Sequence, residues 1–271
     1  MSDNAKILFI VEGRKTEREL VNRLSHVFGL SAEIYTVNGN IYALYQAVKD
    51  DPFAGITEVL AEMSNKESDK TILHNRFTDV FLVFDCDAQH TWSKCEAKSF
   101  SAHELAQRNM SLVMEMTKRF DESTDPQRGK LLVNYPMVES FRDCDDFFDQ
   151  AYGDAIAKVD ELGTYKKRVG KKKLVRKHVK DFTRSQFCDL IRMNVFKLNK
   201  IIDGRFEACD YNAFLRNSVQ RLIAGKETKS VEEEGFLLVL NSLMFFPVDY
   251  FGNMDDFYDV MILSRCHDGI R

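Results

Sequence analysis

Proline and glycine are scarce in this chain, 4 and 13 among 271 residues, which argues against a turn-rich all-β fold. Its six cysteines, Cys86, Cys95, Cys144, Cys188, Cys209 and Cys266, never form a C-x-x-C pair. That spacing suggests neither a zinc ribbon nor a disulfide framework and fits a reducing, cytoplasmic setting. No run approaches the roughly 18 apolar residues of a membrane helix, and the N-terminus lacks a basic region followed by a long apolar stretch. A soluble intracellular protein with no membrane partner is therefore expected. A G-x-x-x-x-G-K-[ST] loop is also missing, so no P-loop ATPase is expected within the chain.

What is present is a 44% hydrophobic composition with 21 phenylalanines, enough for a core in one large domain or two smaller ones. The net charge of -4 does not recommend a nucleic-acid partner, but charge is segregated. "RDCDDFFDQ" (Arg142 to Gln150) is acidic, whereas "YKKRVGKKKLVRKHVK" (Tyr165 to Lys180) has no Asp or Glu. A local basic block can track phosphates whatever the overall sum.

Ile7 to Val11 is a continuous apolar run of the kind found in a strand buried on both faces. Gly13 is expected to let the chain turn sharply, and Leu20, Val21, Leu24, Val27 and Phe28 then recur at helical spacing up to Gly29. "AEIYTV" (Ala32 to Val37) and "DVFLVF" (Asp79 to Phe84) read as further strands. "KLLVNYPMVESF" (Lys130 to Phe141) reads as a fourth strand and its exit. Helices are expected from Asn40 to Val48, Glu58 to Ser68 and Ala102 to Phe120. This alternation predicts an α/β fold with a parallel, Rossmann-like sheet over residues 1–150. Residues 151–271 are expected to form a helical extension carrying the basic segment 165–180. "VEEEGFLLVLNSLMFF" (Val231 to Phe246) is expected as its most buried helix, with "LMFF" leaving room for an interface in a homo-oligomer.

Ligands of such sheets sit beyond the carboxyl ends of the strands. Glu12, Asp85, Asp87 and Glu139 all fall at or just past predicted strand ends. Carboxylates gathered at one edge repel unless a cation or protons intervene. Asp85 and Asp87 are two apart, so in an extended segment they point the same way and could reach one ion.

"VEGRKTE", followed at a distance by an apolar strand and "DCD", resembles the Toprim domain. "YPMVESF" is similar to the Pro-x-x-Glu segment of its OLD and RloB type nucleases. The resemblance covers the first half of the chain. It implies a Toprim metal-dependent nuclease in which Asp85 and Asp87 hold Mg²⁺ (or Mn²⁺), Glu12 acts as general acid or base or as a further ligand, and Glu139 completes the acidic set. The glycine that commonly follows the Asp-x-Asp is absent here, and Cys86 takes the place of the more usual middle residue. Small Toprim effectors of this kind, such as the PARIS nuclease partner, work beside an ATPase in bacterial anti-phage defence and cut RNA or DNA, tRNA among the candidates. An ATPase sensor partner is implied on the same ground.

Lys166, Lys167, Arg168, Lys171, Lys172, Lys173, Arg176 and Lys177 are the candidate nucleic-acid contacts, with Tyr165 as one stacking ring. The alternative for a basic run is a solvated surface. Two other functions fit parts of the pattern. A haloacid-dehalogenase-like phosphatase would use Asp85 as nucleophile and Asp87 as acid, but it leaves Glu12 unexplained and expects Thr or Val where Gln89 stands. A non-catalytic Toprim module would bind nucleic acid without metal.

Overall fold

A computed structural model describes residues 6–37, 39–49, 54–120, 128–208 and 219–251, together with 258 and 262. The predicted α/β architecture is present. Four strands, β1 (Lys6–Val11), β2 (Ser31–Thr36), β3 (Asp79–Asp85) and β4 (Lys130–Tyr135), run parallel, and β7 (Leu240–Asn241) joins antiparallel in the order β2-β1-β3-β4-β7. Residues 7–11 and 80–84 are fully buried, as expected of strands covered on both faces.

The helix α1 (Thr16–Phe28) connects β1 to β2 and buries Leu20, Val21 and Leu24. It stops where Gly29 takes φ 68° and the Leu30 N–H donates to Ser25 O (2.9 Å), an ending suited to glycine. The connection from β2 to β3 contains α2 (Ile41–Val48), α3 (Ile56–Met63) and α4 (Glu67–Leu73). The continuous helix expected from Glu58 to Ser68 is thus broken, because Ser64 turns extended and its hydroxyl donates to Asp69 Oδ2 (3.1 Å). After a short α5 (Glu96–Ser99), α6 (Ala102–Phe120) returns the chain to β4.

Beyond β4 the chain has more 3₁₀ turns than long helices until α8 (Arg184–Asp203), whose start is fixed by a capping box between Thr183 and Gln186. A two-stranded sheet, β5 (Ile156–Lys158) with β6 (Phe236–Leu238), and the short α7 (Tyr165–Val169) complete this region.

Val231 to Phe246 is not one helix. The helix α9 (Val219–Glu234) ends at Gly235, which has φ 73°, and β6, β7, a 3₁₀ turn and α10 (Phe246–Phe251) follow. The left-handed glycine stops the helix, and the Phe-Leu-Leu-Val-Leu run then suits strands better than a helix. Leu243, Met244, Phe245 and Phe246 are fully buried, so they form core and not an interface. Phe246 meets Phe9 and Phe81 edge-on, each at 4.8 Å between ring centres. Among the described residues, no helix is long and apolar enough to cross a membrane. Cys209 and Cys266 lie outside the described residues.

Candidate acidic active site

The strand order places β2 on one side of β1 and β3 on the other, so the chain changes direction at the β1/β3 boundary. Crevices of open α/β sheets form at such points, beyond the strands' carboxyl ends. Glu12 and Asp85 stand there. The Glu12 N–H still donates to Val83 O (3.3 Å), which keeps the backbone in register with β3 as the side chain emerges. Glu12 Oε2 accepts from the Asp85 N–H (3.4 Å), and Asp85 Oδ1 accepts from the Val138 N–H (2.7 Å). Val138 opens the 3₁₀ turn Val138–Arg142, which carries Glu139. Acids from three successive strand ends are thereby tied together through backbone donors.

Asp87 completes the set by a different geometry from the expected alternation. The chain remains extended only to Asp85, and Asp87 adopts φ 42°, a left-handed conformation that aspartate tolerates better than most residues. Cys86 between the two aspartates is buried, its Sγ 3.3 Å from Met110 Sδ. The turn is held by the Tyr42 hydroxyl, which donates to Cys86 O (2.6 Å), and by the Asn109 amide, which donates to Ala88 O (2.8 Å) and His90 O (2.9 Å). His90 Nδ1 lies 3.6 Å from Asp87 Oδ2.

A fifth acid, Glu17, belongs to this edge. It sits in the first turn of α1, only 7% exposed, and a Cβ on Gly13 would come within 2.0 Å of its carboxylate. Gly13 is not in the left-handed region. Its small size makes room for Glu17, where the sequence suggested a need for a sharp turn. Glu17 occupies the helix face of Leu20, Val21 and Leu24, and an acid at a buried-face position is the signal that could have found it.

The acids raise one another's proton affinity. Burial, with the Asp87 and Glu17 charges adding to it, lifts Glu12 to about 7 against the pull of the Asp85 N–H. Burial lifts Asp85 well above the usual carboxylate range, reinforced by Glu12, Glu17 and Glu139. Glu17 is raised by burial and by Glu139, and Asp87 is raised by burial against the influence of His90. Hard oxygen donors with excess negative charge have the chemistry that Mg²⁺ or Mn²⁺ takes. Among the described residues, however, no three His, Cys, Asp or Glu side chains form a group that could hold an ion between them. The arrangement fits an ion held by one or two carboxylates with water and substrate as the remaining ligands, as is usual for Mg²⁺.

The basic block is divided. Lys166 pairs with Glu139, and Arg168 (2.7 Å) and Lys172 (3.8 Å) both turn to the buried Asp143. Lys167, Lys171, Lys173 and Arg176 are exposed. Lys177 is also exposed and lies over the Phe147 ring (4.4 Å). Tyr165 is 2% exposed beneath Arg168, so it offers no stacking surface. Cys144 is buried, with its Sγ 3.5 Å from Phe141 O.

Comparison with protein-family models, with curated proteins and with solved structures returns no match to this chain.

Proposed function

We propose that the chain is a metal-dependent phosphodiesterase that cuts RNA or DNA at the β1/β3 edge, with the Toprim arrangement its sequence resembles. The observation that carries this reading is the linked set Glu12, Asp85 and Val138–Glu139, with Glu17 and Asp87 beside it; burial raises the proton affinities of Glu12, Asp85, Glu17 and Asp87. A purely structural edge would gain stability by losing these charges, so their retention favours chemistry.

Asp85 and Asp87 are the residues that would hold Mg²⁺ or Mn²⁺, with Glu12 beside them as the base. A bound divalent ion supplies positive charge against the carboxylates and the developing charge on the phosphate. Glu12, with a pKa near the working pH, is suited to take the proton of the attacking water. The water oxygen then bonds to phosphorus, the bond from phosphorus to the leaving sugar oxygen breaks, and solvent protonates that oxygen. Val138 N–H holds Asp85 Oδ1 in place. Tyr42 and Asn109 hold the turn that presents Asp87.

Regulation by a partner ATPase in anti-phage defence belongs to the same proposal and rests on the sequence resemblance. The test is cleavage of total bacterial tRNA and of plasmid DNA by the purified chain with Mg²⁺, Mn²⁺ or EDTA. Cutting that needs metal and is lost in Glu12→Ala and Asp85→Ala is expected. Cutting retained in EDTA or in both variants contradicts the site assignment, and fast unregulated turnover contradicts the partner-controlled effector.

A further inference from the structure

Beside Glu139, on the side of the acidic edge reached by the start of α1, lies an open cleft of ≈ 470 Å³. Lys15, Arg142, Lys166 and Lys177 reach it, with His178 at its wall. Facing them are two carboxylates, Glu19 and Glu139, so the permanent positive charges outnumber the negative ones. One of the two carboxylates, Glu139, is already paired with Lys166. Lys15 has no ion-pair partner among the described residues, and its side chain precedes α1 at a terminus without a side-chain cap. Arg142 rests on the Phe141 ring (4.9 Å), and its Nε is buried without a hydrogen-bond partner. A guanidinium left short of acceptors, in a cleft with surplus positive charge, is stabilised by an incoming anion.

We infer that this cleft is a phosphate-binding subsite, adjoining through Glu139 the carboxylates that would perform the cleavage. Its volume lies within the range of sites that hold small ligands, so the phosphate could belong to a strand beside the scissile bond or to a free nucleotide. The identification of a strand phosphate rests on the nuclease reading, whereas phosphate recognition by the cleft rests on its own charges. Lys15 and Arg142 lie before the basic run in the sequence, and Lys166, Lys177 and His178 belong to it. The cleft therefore makes a different prediction from a surface of Lys167, Lys171, Lys173 and Arg176.

The test measures binding in EDTA, where no metal-dependent cutting occurs. The probes are a short fluorescein-labelled single-stranded RNA, AMP and inorganic phosphate, each with the wild-type chain, Lys15→Gln/Lys177→Gln, Arg142→Gln and Lys229→Gln. Thermal melting of each variant checks that it is folded. The double variant is expected to bind RNA at least tenfold more weakly, and its salt slope should fall by about 1.4, from roughly 0.7 for each lysine removed from a single strand. Arg142→Gln should weaken the same probe, and Lys229→Gln, an exposed lysine on α9, should not. Displacement of RNA by AMP or phosphate would identify a cleft that accepts a free phosphate group; RNA binding without displacement would identify a strand phosphate. Equal affinities of wild type and double variant for all probes, or no binding of any probe by the wild type, would overturn the subsite. Metal-dependent cutting with an unchanged KM in the double variant would overturn the subsite alone. Lysine-dependent binding by a chain that never cuts would overturn the nuclease reading alone.

Discussion

Glu12 shows how the site sets itself against the fold's stability. Its folded pKa of about 7 exceeds the ordinary value of 4.5, so between these pH values the folded state holds more protons than the unfolded one. Stability therefore falls as pH rises through that window, by about 2 kcal/mol from Glu12 after allowance for its partial exposure. Glu12→Gln is expected to melt higher than wild type at pH 8 in EDTA and to show most of that gain lost at pH 4.5, as measured by thermal melting. Gly13 is coupled to the same site. Gly13→Ala places a methyl where the Glu17 carboxylate lies, and that carboxylate, at the end of a flexible side chain, can swing away. The expected cost in stability is below about 1.5 kcal/mol, with a loss of cleavage similar to that of Glu17→Ala and little further loss in the double variant. Additive losses in that cycle would separate the two residues. Glu12, Asp85, Asp87 and Glu139 were legible in the sequence because each follows an apolar strand. Glu17 carried one sequence signal, its place on the face of Leu20, Val21 and Leu24, but the room that Gly13 leaves for it shows only in three dimensions.

At the scale of elements, α8, α9 and the β5/β6 ribbon are joined by buried charges. Lys197 Nζ, on α8, donates to Gly153 O (2.8 Å) and Ala155 O (3.0 Å), and burial lowers its pKa to about 8. Glu227, on α9, is fully buried and accepts from the Leu238 N–H (2.8 Å) of β6. Burial raises its pKa well above the ordinary value, while Leu238 N–H and Lys197 oppose the rise. Glu227→Ala leaves that N–H unpaired and opens a cavity, and a loss of about 3 kcal/mol is expected in denaturant unfolding. Glu227→Gln keeps an acceptor and should lose less. The first four strands and α1, α2 and α6 were readable from apolar period alone. The strands β6 and β7 were not, because "FLLVL" is apolar at every position and matches a buried helix as well as a strand until Gly235 breaks the chain.

Across the whole molecule, the second half of the sequence completes the sheet that the first half begins. Asn241 pairs with Asn134, its amide donates to Val138 O (2.8 Å), and Phe246 covers Phe9 and Phe81. The turn that positions Asp85 and Glu139 is therefore braced from residue 241. A chain ending at residue 150 should expose this face and collect in the insoluble fraction, with its soluble part lacking a cooperative melt. The contribution of β7 was not legible earlier, since two residues carry no period and their pairing partner lies more than a hundred positions away. Under the proposed function, a fold braced in this way keeps costly carboxylates together to hold a divalent cation. The most direct measurement is calorimetric titration of the intact chain with Mn²⁺ at pH 8, beside Asp85→Asn and Glu227→Gln. Saturable binding by wild type and Glu227→Gln that disappears in Asp85→Asn is the predicted result, and equal binding by all three, or none by the wild type, would contradict it.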